Sequence, residues 1–350
     1  IVRATTRGQA ESDYYDVYST HFSYIPQFHT FLEPLQLHFS QEDLNDFAPS
    51  SLEGSTMDGN IYMLPRYLDG RMLFYRTDLF EEAGLEPPTS WQELLDIALK
   101  LTDQKSGMYG FIQVGQGNPI MRHFSDFLWQ AGGDFLDENY RPIFHGPEGV
   151  KALQFIVDLV HKHQVSPPGL VGFGWTEART LFAQGVGAML YEWPSGPPHY
   201  DDPERSVIVG KYSFAPIPGD VTDISTAVNH GFSINKHSSN KDLAVKFIGW
   251  MTSKEAQHLE YQVRGTLPAR LSAAQEIIDG ATGVERDRLL ALKAVGESGR
   301  SWPVIPEMAQ IERVIYEELE KALSLQKTVE QALNDAASKV EAIMVEAGYY

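Results

Sequence analysis

Residues 66–76 read RYLDGRMLFYR, which sets an acid and a base on either side of a glycine, Asp69-Gly70-Arg71. A carboxylate and a guanidinium so close together can be catalytic groups, a surface ion pair, or the polar arms that hold a ligand. A second acid, Glu192, precedes Trp193 in MLYEWP, and Asn229 and His230 precede Phe232 in AVNHGFSI. Tyr18, His21, Phe22 and Tyr24 gather near the start of the chain, and Trp302 stands alone near its end. Aromatic rings are most often core. Beside hydrogen-bonding groups just past a strand, they also suit a pocket for a ligand with apolar faces and polar edges. A sugar is such a ligand.

Other chemistries are poorly served. Asp69 and Glu192 are the two carboxylates expected next to strand ends, and a pair about 5–9 Å apart would fit glycoside hydrolysis. His161 and His163 are two apart at a helix end, on different faces, which argues against a metal site and for helix-terminal positions. No cysteine is present, so disulfides, thiolate catalysis and Cys-ligated zinc are excluded. No nucleotide-binding glycine motif, serine-hydrolase elbow or zinc-protease motif occurs. The formal net charge of −19 repels phosphate backbones, so no nucleic-acid partner is expected. No cofactor or metal is expected either.

These groups need elements to position them. With 350 residues the chain is too long for one compact core and suits two domains. Strands are expected in YYDVYSTHF, RMLFYR, MYGFIQVG, VGAMLYEWP and KYSFAPIPG, and DGNIYMLPRYL reads as paired strands around a DG turn. STAVNHGFSINK reads as a strand interrupted at Asn229–Gly231. PPTSWQELLDIALKLTD is the clearest helix, with Ser90 and Glu93 as a capping box. NKDLAVKFIGWMTS is expected to be helical with Leu243, Phe247 and Met251 four apart, flanked by Ala244 and Ile248. Strands and helices alternate, which argues α/β layers. The first residues, IVRATTRGQAESD, contain no apolar signal region.

The order of these segments resembles a known family, the extracytoplasmic solute-binding proteins of ABC importers of the maltose/trehalose sugar class. LFYRTDLFEEAGLEPPTSWQELLDIALKLTD carries the most specific likeness. WQAGGDFLDE, FAQGVGAMLYEWP, INKHSSNKDLAVKFIGWMTSKEAQ, GTLPAR and WPVIPEMAQIERVIYEELEKAL follow in the family's order. The resemblance implies a two-lobed, type II periplasmic-binding-protein-like α/β fold, with a ligand held between lobes joined by three hinge crossings. The crossings are expected near Tyr67–Gly70, Asn229–Phe232 and 271–274. One lobe would be 1–68 plus 231–270, lacking the family's first strand-helix-strand, which the whole protein is expected to carry. The other would be 70–228 plus 274–350.

Carried over residue by residue, the resemblance puts Thr20, His21, Ser23 and Tyr24 in one ligand wall. Gln116, Asn118, Arg122, Glu192 and Trp193 would form the other. Asp69, Arg71, Asn229 and His230 would lie at the crossings, and Trp302 near the ligand. Glu192 stands where an Asn is common, and Trp302-Pro303 where Arg-Pro is frequent. The implied function is capture of a neutral sugar, a disaccharide favoured, and delivery to the transmembrane subunits of an ABC permease. The protein would be extracytoplasmic, non-enzymatic and monomeric, at the membrane only through that partner or a removed lipid anchor. The alternatives are a glycoside hydrolase, or a binding protein for another polar solute such as a polyamine or glycerol phosphate.

Overall fold

The computed structural model describes residues 14–350; residues 1–13, the stretch read for a signal region, lie outside the described residues. The chain divides into two compact units, Ile1–Gly70 with Ala227–Pro306 and Arg71–Thr226 with Glu307–Tyr350. It therefore changes unit at three junctions, 70/71, 226/227 and 306/307. The expected third crossing near 271–274 is corrected to 306/307, and the helices Leu271–Gly280 and Gly283–Ser298 belong to the first unit. Packing explains why. Helix Gly283–Ser298 buries Leu289, Leu292 and Val295. A Cβ on its Gly296 would come within 2.8 Å of a Leu68 methyl, so a larger residue there would have to displace that side chain.

The strands in chain order are β1 (Val17–His21), β2 (Thr56–Met57), β3 (Asn60–Ile61), β4 (Leu64–Gly70), β5 (Met72–Arg76), β6 (Tyr109–Ile112), β7 (Gly187–Glu192), β8 (Tyr212–Ala215) and β9 (Ala227–Ile234). In the first unit β9 is the central strand of an antiparallel sheet ordered β1-β9-β4. Its register sets His21 opposite His230, and His230 opposite Tyr67. β9 runs unbroken through Asn229–Gly231, against the interruption expected there. Gly231 serves closeness rather than a turn, since a Cβ would stand 2.1 Å from the Leu64 carbonyl oxygen.

The expected DG turn joins β2 to β3, with Asp58 and Gly59 both at positive φ, 50° and 73°. That is the backbone a two-residue hairpin demands. The unit's core gathers Leu35, Leu44, Phe47, Leu64, Phe232, Ile234, Ala244, Ile248 and Ala269. Helix Lys241–Met251 thus buries Ala244 and Ile248, while Leu243 and Phe247 are 68% and 47% exposed. The four-apart stripe is not the buried one.

The second unit is built on the sheet β6-β7-β5-β8. β6 runs parallel to β7, and β5 antiparallel to both β7 and β8. Its strands are nearly continuous apolar runs, as suits a sheet covered by helices. Helix Trp91–Leu101 starts as a modified capping box. Ser90 Oγ accepts from Glu93 N, but the Glu93 carboxylate reaches back to Thr89 N and Oγ1. Helices Met308–Leu323 and Val329–Glu346 close the chain. They are tied by Glu318, whose buried carboxylate accepts from Lys321, Lys327 and Lys339 at 2.5–2.7 Å. His161 is exposed in the last turn of helix Pro147–His161, as expected, and its Nε2 also lies 2.7 Å from the Leu323 carbonyl, bridging two helices. Among the described residues no helix is long and apolar enough to cross a membrane, and no group of three or more His, Cys, Asp or Glu could hold a metal.

Candidate functional site

Each unit carries one place where rings and polar groups meet. In the first unit the sheet register brings His21, His230, Tyr67 and Asp69 together. The His21 and His230 rings are 4.8 Å apart, and Tyr67 stacks on His230 at 5.2 Å with an interplanar angle of 20°. His230 Nε2 lies 3.6 Å from Asp69 Oδ2, both side chains partly exposed. That distance is too long for a good hydrogen bond, so either group can turn to a ligand. His21 opens the short 3₁₀ turn Phe22–Tyr24. Its Nδ1 accepts from Ser23 Oγ at 2.7 Å and from Ser23 N at 3.4 Å, so the ring carries its proton on Nε2. Tyr24 is 41% exposed beside it.

Three residues expected here face elsewhere. Thr20 is buried, its Oγ1 donating to the Tyr18 carbonyl. Asn229 is buried, its amide donating to the Ser50 and Ser51 carbonyls at 3.1 and 3.0 Å. Trp302 is also buried and stacks on Phe22 at 5.9 Å, beneath the turn that carries Ser23 and Tyr24. These three are corrections of one kind: a polar or aromatic residue at the right place in the sequence whose side chain the fold has already used.

In the second unit Arg71 is the organising group. It is 1% exposed, not a free arm. Nη1 donates to Asp126 Oδ2 at 2.5 Å and Nη2 to the Tyr191 carbonyl at 3.2 Å. Asp126 Oδ1 accepts from both N and Oγ1 of Thr226, at 2.8 and 2.7 Å. Arg71 Nη2 also approaches His123 Nδ1 at 3.4 Å. Burial, and then the Arg71 charge, hold the His123 pKa well below its ordinary value, so the ring is neutral. Trp175 covers the guanidinium at 5.1 Å. Trp193 meets Trp175 edge to face at 6.0 Å, and both indoles are only half-buried.

Glu192, the other carboxylate weighed for hydrolysis, is fully buried. Its oxygens accept from Arg179 Nε and Nη2 at 2.6 and 2.9 Å, and Oε1 also accepts from Trp193 N at 2.6 Å. So held, it orients Trp193 and is available neither as nucleophile nor as acid. Arg122 and Asn118 both grip Glu312, at 2.6 and 2.9 Å, pinning helix Gly117–Gln130 to helix Met308–Leu323. Gln116, at the start of the first of these helices, is exposed, its N–H donating to Phe173.

The sequence reading missed Trp175, Arg179, His123 and Asp126. Trp175 left one signal, its place directly after Gly174 at the start of helix Trp175–Ala183. Asp126 and His123 sit inside an apolar helical run and gave none.

The family described as bacterial extracellular solute-binding protein matches residues 26–258. The mannitol-binding protein of Pseudomonas aeruginosa is 29% identical over 338 residues, 91% of this chain and 77% of its own. Two solved structures are similar throughout. The maltose-bound MalE3 of T. maritima superposes with a TM-score of 0.81 at 29% identity, covering 98% of this chain and 88% of that one. An ABC transporter solute-binding protein of Thermotoga lettingae, bound with α-D-tagatose, gives 0.80 at 30% identity, with the same coverage.

Proposed function

Because the chain belongs to the bacterial extracellular solute-binding protein family, we propose that it captures a small neutral carbohydrate, of hexitol to disaccharide size. It delivers this solute unaltered to the membrane subunits of an ABC importer. The observation that carries this reading is the pair Trp175–Trp193 over a charge network that is internally neutral. Two half-buried indoles offer a face to the CH groups of a sugar or polyol. The ions around them are paired among themselves: Arg71 with Asp126, Arg179 with Glu192, Arg122 with Glu312. With these three cations each paired, an anionic solute gains little in this patch, whereas hydroxyls need no counter-charge. In the first unit Asp69, His230 and Tyr24 supply an acceptor, an imidazole and an exposed phenol for the same class of solute.

The relatives point the same way, one being described as mannitol-binding and two as bound with maltose and with tagatose. The protein works as a monomer outside the cytoplasm, at the membrane through its importer partner. A thermal-unfolding panel over mannitol, tagatose, maltose, glutamate and putrescine tests the proposal. A ligand at a hundred times its Kd adds about 2.7 kcal/mol of stability. Stabilisation by a neutral carbohydrate, with the ligand recovered intact, is the expected result. Stabilisation only by a charged solute, or turnover of maltose, would overturn it.

A further inference from the structure

We propose that the second unit holds a separate pocket for a short neutral polyol, connected to the Arg71–Trp175 patch by a one-way chain of hydrogen bonds. The pocket is a cavity of about 370 Å³ lined by Gln104, Tyr109, Val160, His161, Gln164 and Ser166, at the lower end of the roughly 300–1,000 Å³ usual for small-molecule sites. It lies where β6 begins, beside the loop that follows helix Pro147–His161. It does not depend on which solute the Trp175–Trp193 patch binds.

The direction of the chain follows from donor inventory. A guanidinium can only donate, so His123 Nδ1 accepts from Arg71 Nη2. The neutral ring must then carry its proton on Nε2, which donates to Gln113 Oε1 at 3.0 Å. That fixes the Gln113 amide, whose Nε2 donates to Ser166 Oγ at 3.0 Å. Every link is buried: His123 and Gln113 are each 1% exposed and Ser166 3%. Ser166 Oγ accepts at this end of the chain and has no other hydrogen bond among the described residues. Its own proton therefore has no protein acceptor among the described residues, on a residue that lines the cavity. Leaving such a donor unmet is costly, and a ligand oxygen in the cavity would meet it.

The rest of the lining sets the class of ligand. The Tyr109 hydroxyl has no hydrogen bond among the described residues, and Gln164 stands exposed at φ 52°, held by Gln104 through its carbonyl at 3.1 Å. No Asp, Glu, Lys or Arg lines the cavity, and His161 is engaged with the Leu323 carbonyl, so an ion finds little to pair with there. Val160 and Pro168 are apolar walls for a carbon chain. A polyol hydroxyl can accept from Ser166 and donate in turn to Gln164 or Tyr109. Accepting the Ser166 proton polarises the whole chain toward Arg71, because linked hydrogen bonds strengthen one another.

The test uses the full chain with ¹⁵N-labelled histidine and backbone, and glycerol as the probe. Saturable shifts of the Gln104, Tyr109 and Ser166 amides, together with the His123 ring nitrogens, are expected. Ser166→Ala should keep the Gln104 and Tyr109 shifts, weaken binding about tenfold, the scale of one hydrogen bond, and silence His123. Val160→Trp, which fills the half-buried mouth, should abolish all of them. If that variant does not fold, Tyr109→Phe replaces it, with weakened binding expected and unaltered affinity counting against the pocket. Non-saturating shifts, or saturable ones that survive Val160→Trp, overturn the pocket. A His123 response that persists in Ser166→Ala overturns the chain.

Discussion

Asp69 and Arg71 are separated by one glycine and have opposite fates. Asp69 is the last residue but one of β4 in the first unit, its side chain 23% exposed, with one loose partner in His230 at 3.6 Å. Arg71 opens the second unit, 1% exposed, bonded to Asp126 and Tyr191 and roofed by Trp175. The contrast separates two ways a charge can serve a binding protein. A half-exposed carboxylate with an unmet lone pair is available to a ligand. A buried guanidinium whose Nη1 and Nη2 are committed, with Nε alone lacking a partner among the described residues, is chiefly a strut, and most of its effect on a ligand passes through the indole it supports.

The largest test of this contrast removes the strut. Arg71→Ala leaves Asp126 buried without its cation and should cost about 3–5 kcal/mol of stability, read by denaturant unfolding. A loss of affinity at unchanged stability would show that Arg71 touches the ligand after all. Glu318 extends the same rule to a carboxylate. Burial pushes its pKa up, but hydrogen bonds from Lys321, Lys327 and Lys339 outweigh that and bring it down to about 2. Its folded pKa lies below the ordinary 4.5, so its stabilisation is complete above that value and is lost as pH falls toward 2. Glu318→Gln should therefore cost about 3 kcal/mol at neutral pH, and the gap to wild type should close in acid; a pH-independent gap would argue against the lysine cluster.

Next in size, Trp193→Ala should weaken carbohydrate binding by about 2–3 kcal/mol with a smaller change in melting temperature, since the indole is only half-buried. A stability loss with unaltered affinity would make it a packing residue. Smallest is Asp69→Ala, expected to lower affinity about tenfold, or 1.4 kcal/mol, while stability moves within the ~1 kcal/mol of an exposed pair. Equal effects of Asp69→Ala and Arg71→Ala on both readouts would erase the contrast.

Much of the scaffold could be read from periodicity and turn chemistry: the DG hairpin, the apolar strand after Arg71, the helix behind Ser90. The family and its α/β fold were legible in the order of segments such as LFYRTDLFEEAGL. What could not be read was commitment. Glu192, Asn229, Arg122 and Thr20 are polar residues near strand or helix ends, as ligand contacts would be. Their partners, Arg179, Ser50 and Ser51, Glu312, and the Tyr18 carbonyl, come in most cases from distant parts of the sequence that only the fold brings near. The helical stripe at Leu243 and Phe247 failed for a related reason. Four-residue spacing marks a face, but neighbouring faces of one helix both carried apolar residues, and packing chose Ala244 and Ile248. Gly283–Ser298 was placed in the wrong unit because helical pattern alone does not reveal which sheet a helix covers.

The measurement closest to the central claim is a calorimetric titration of the whole chain with mannitol, tagatose and maltose, each repeated on Trp193→Ala. The account predicts saturable binding of at least one of the three with one-to-one stoichiometry, reduced by more than tenfold in the variant, which is about 1.4 kcal/mol or more. No heat with any neutral carbohydrate, or binding that Trp193→Ala leaves unchanged, would contradict it.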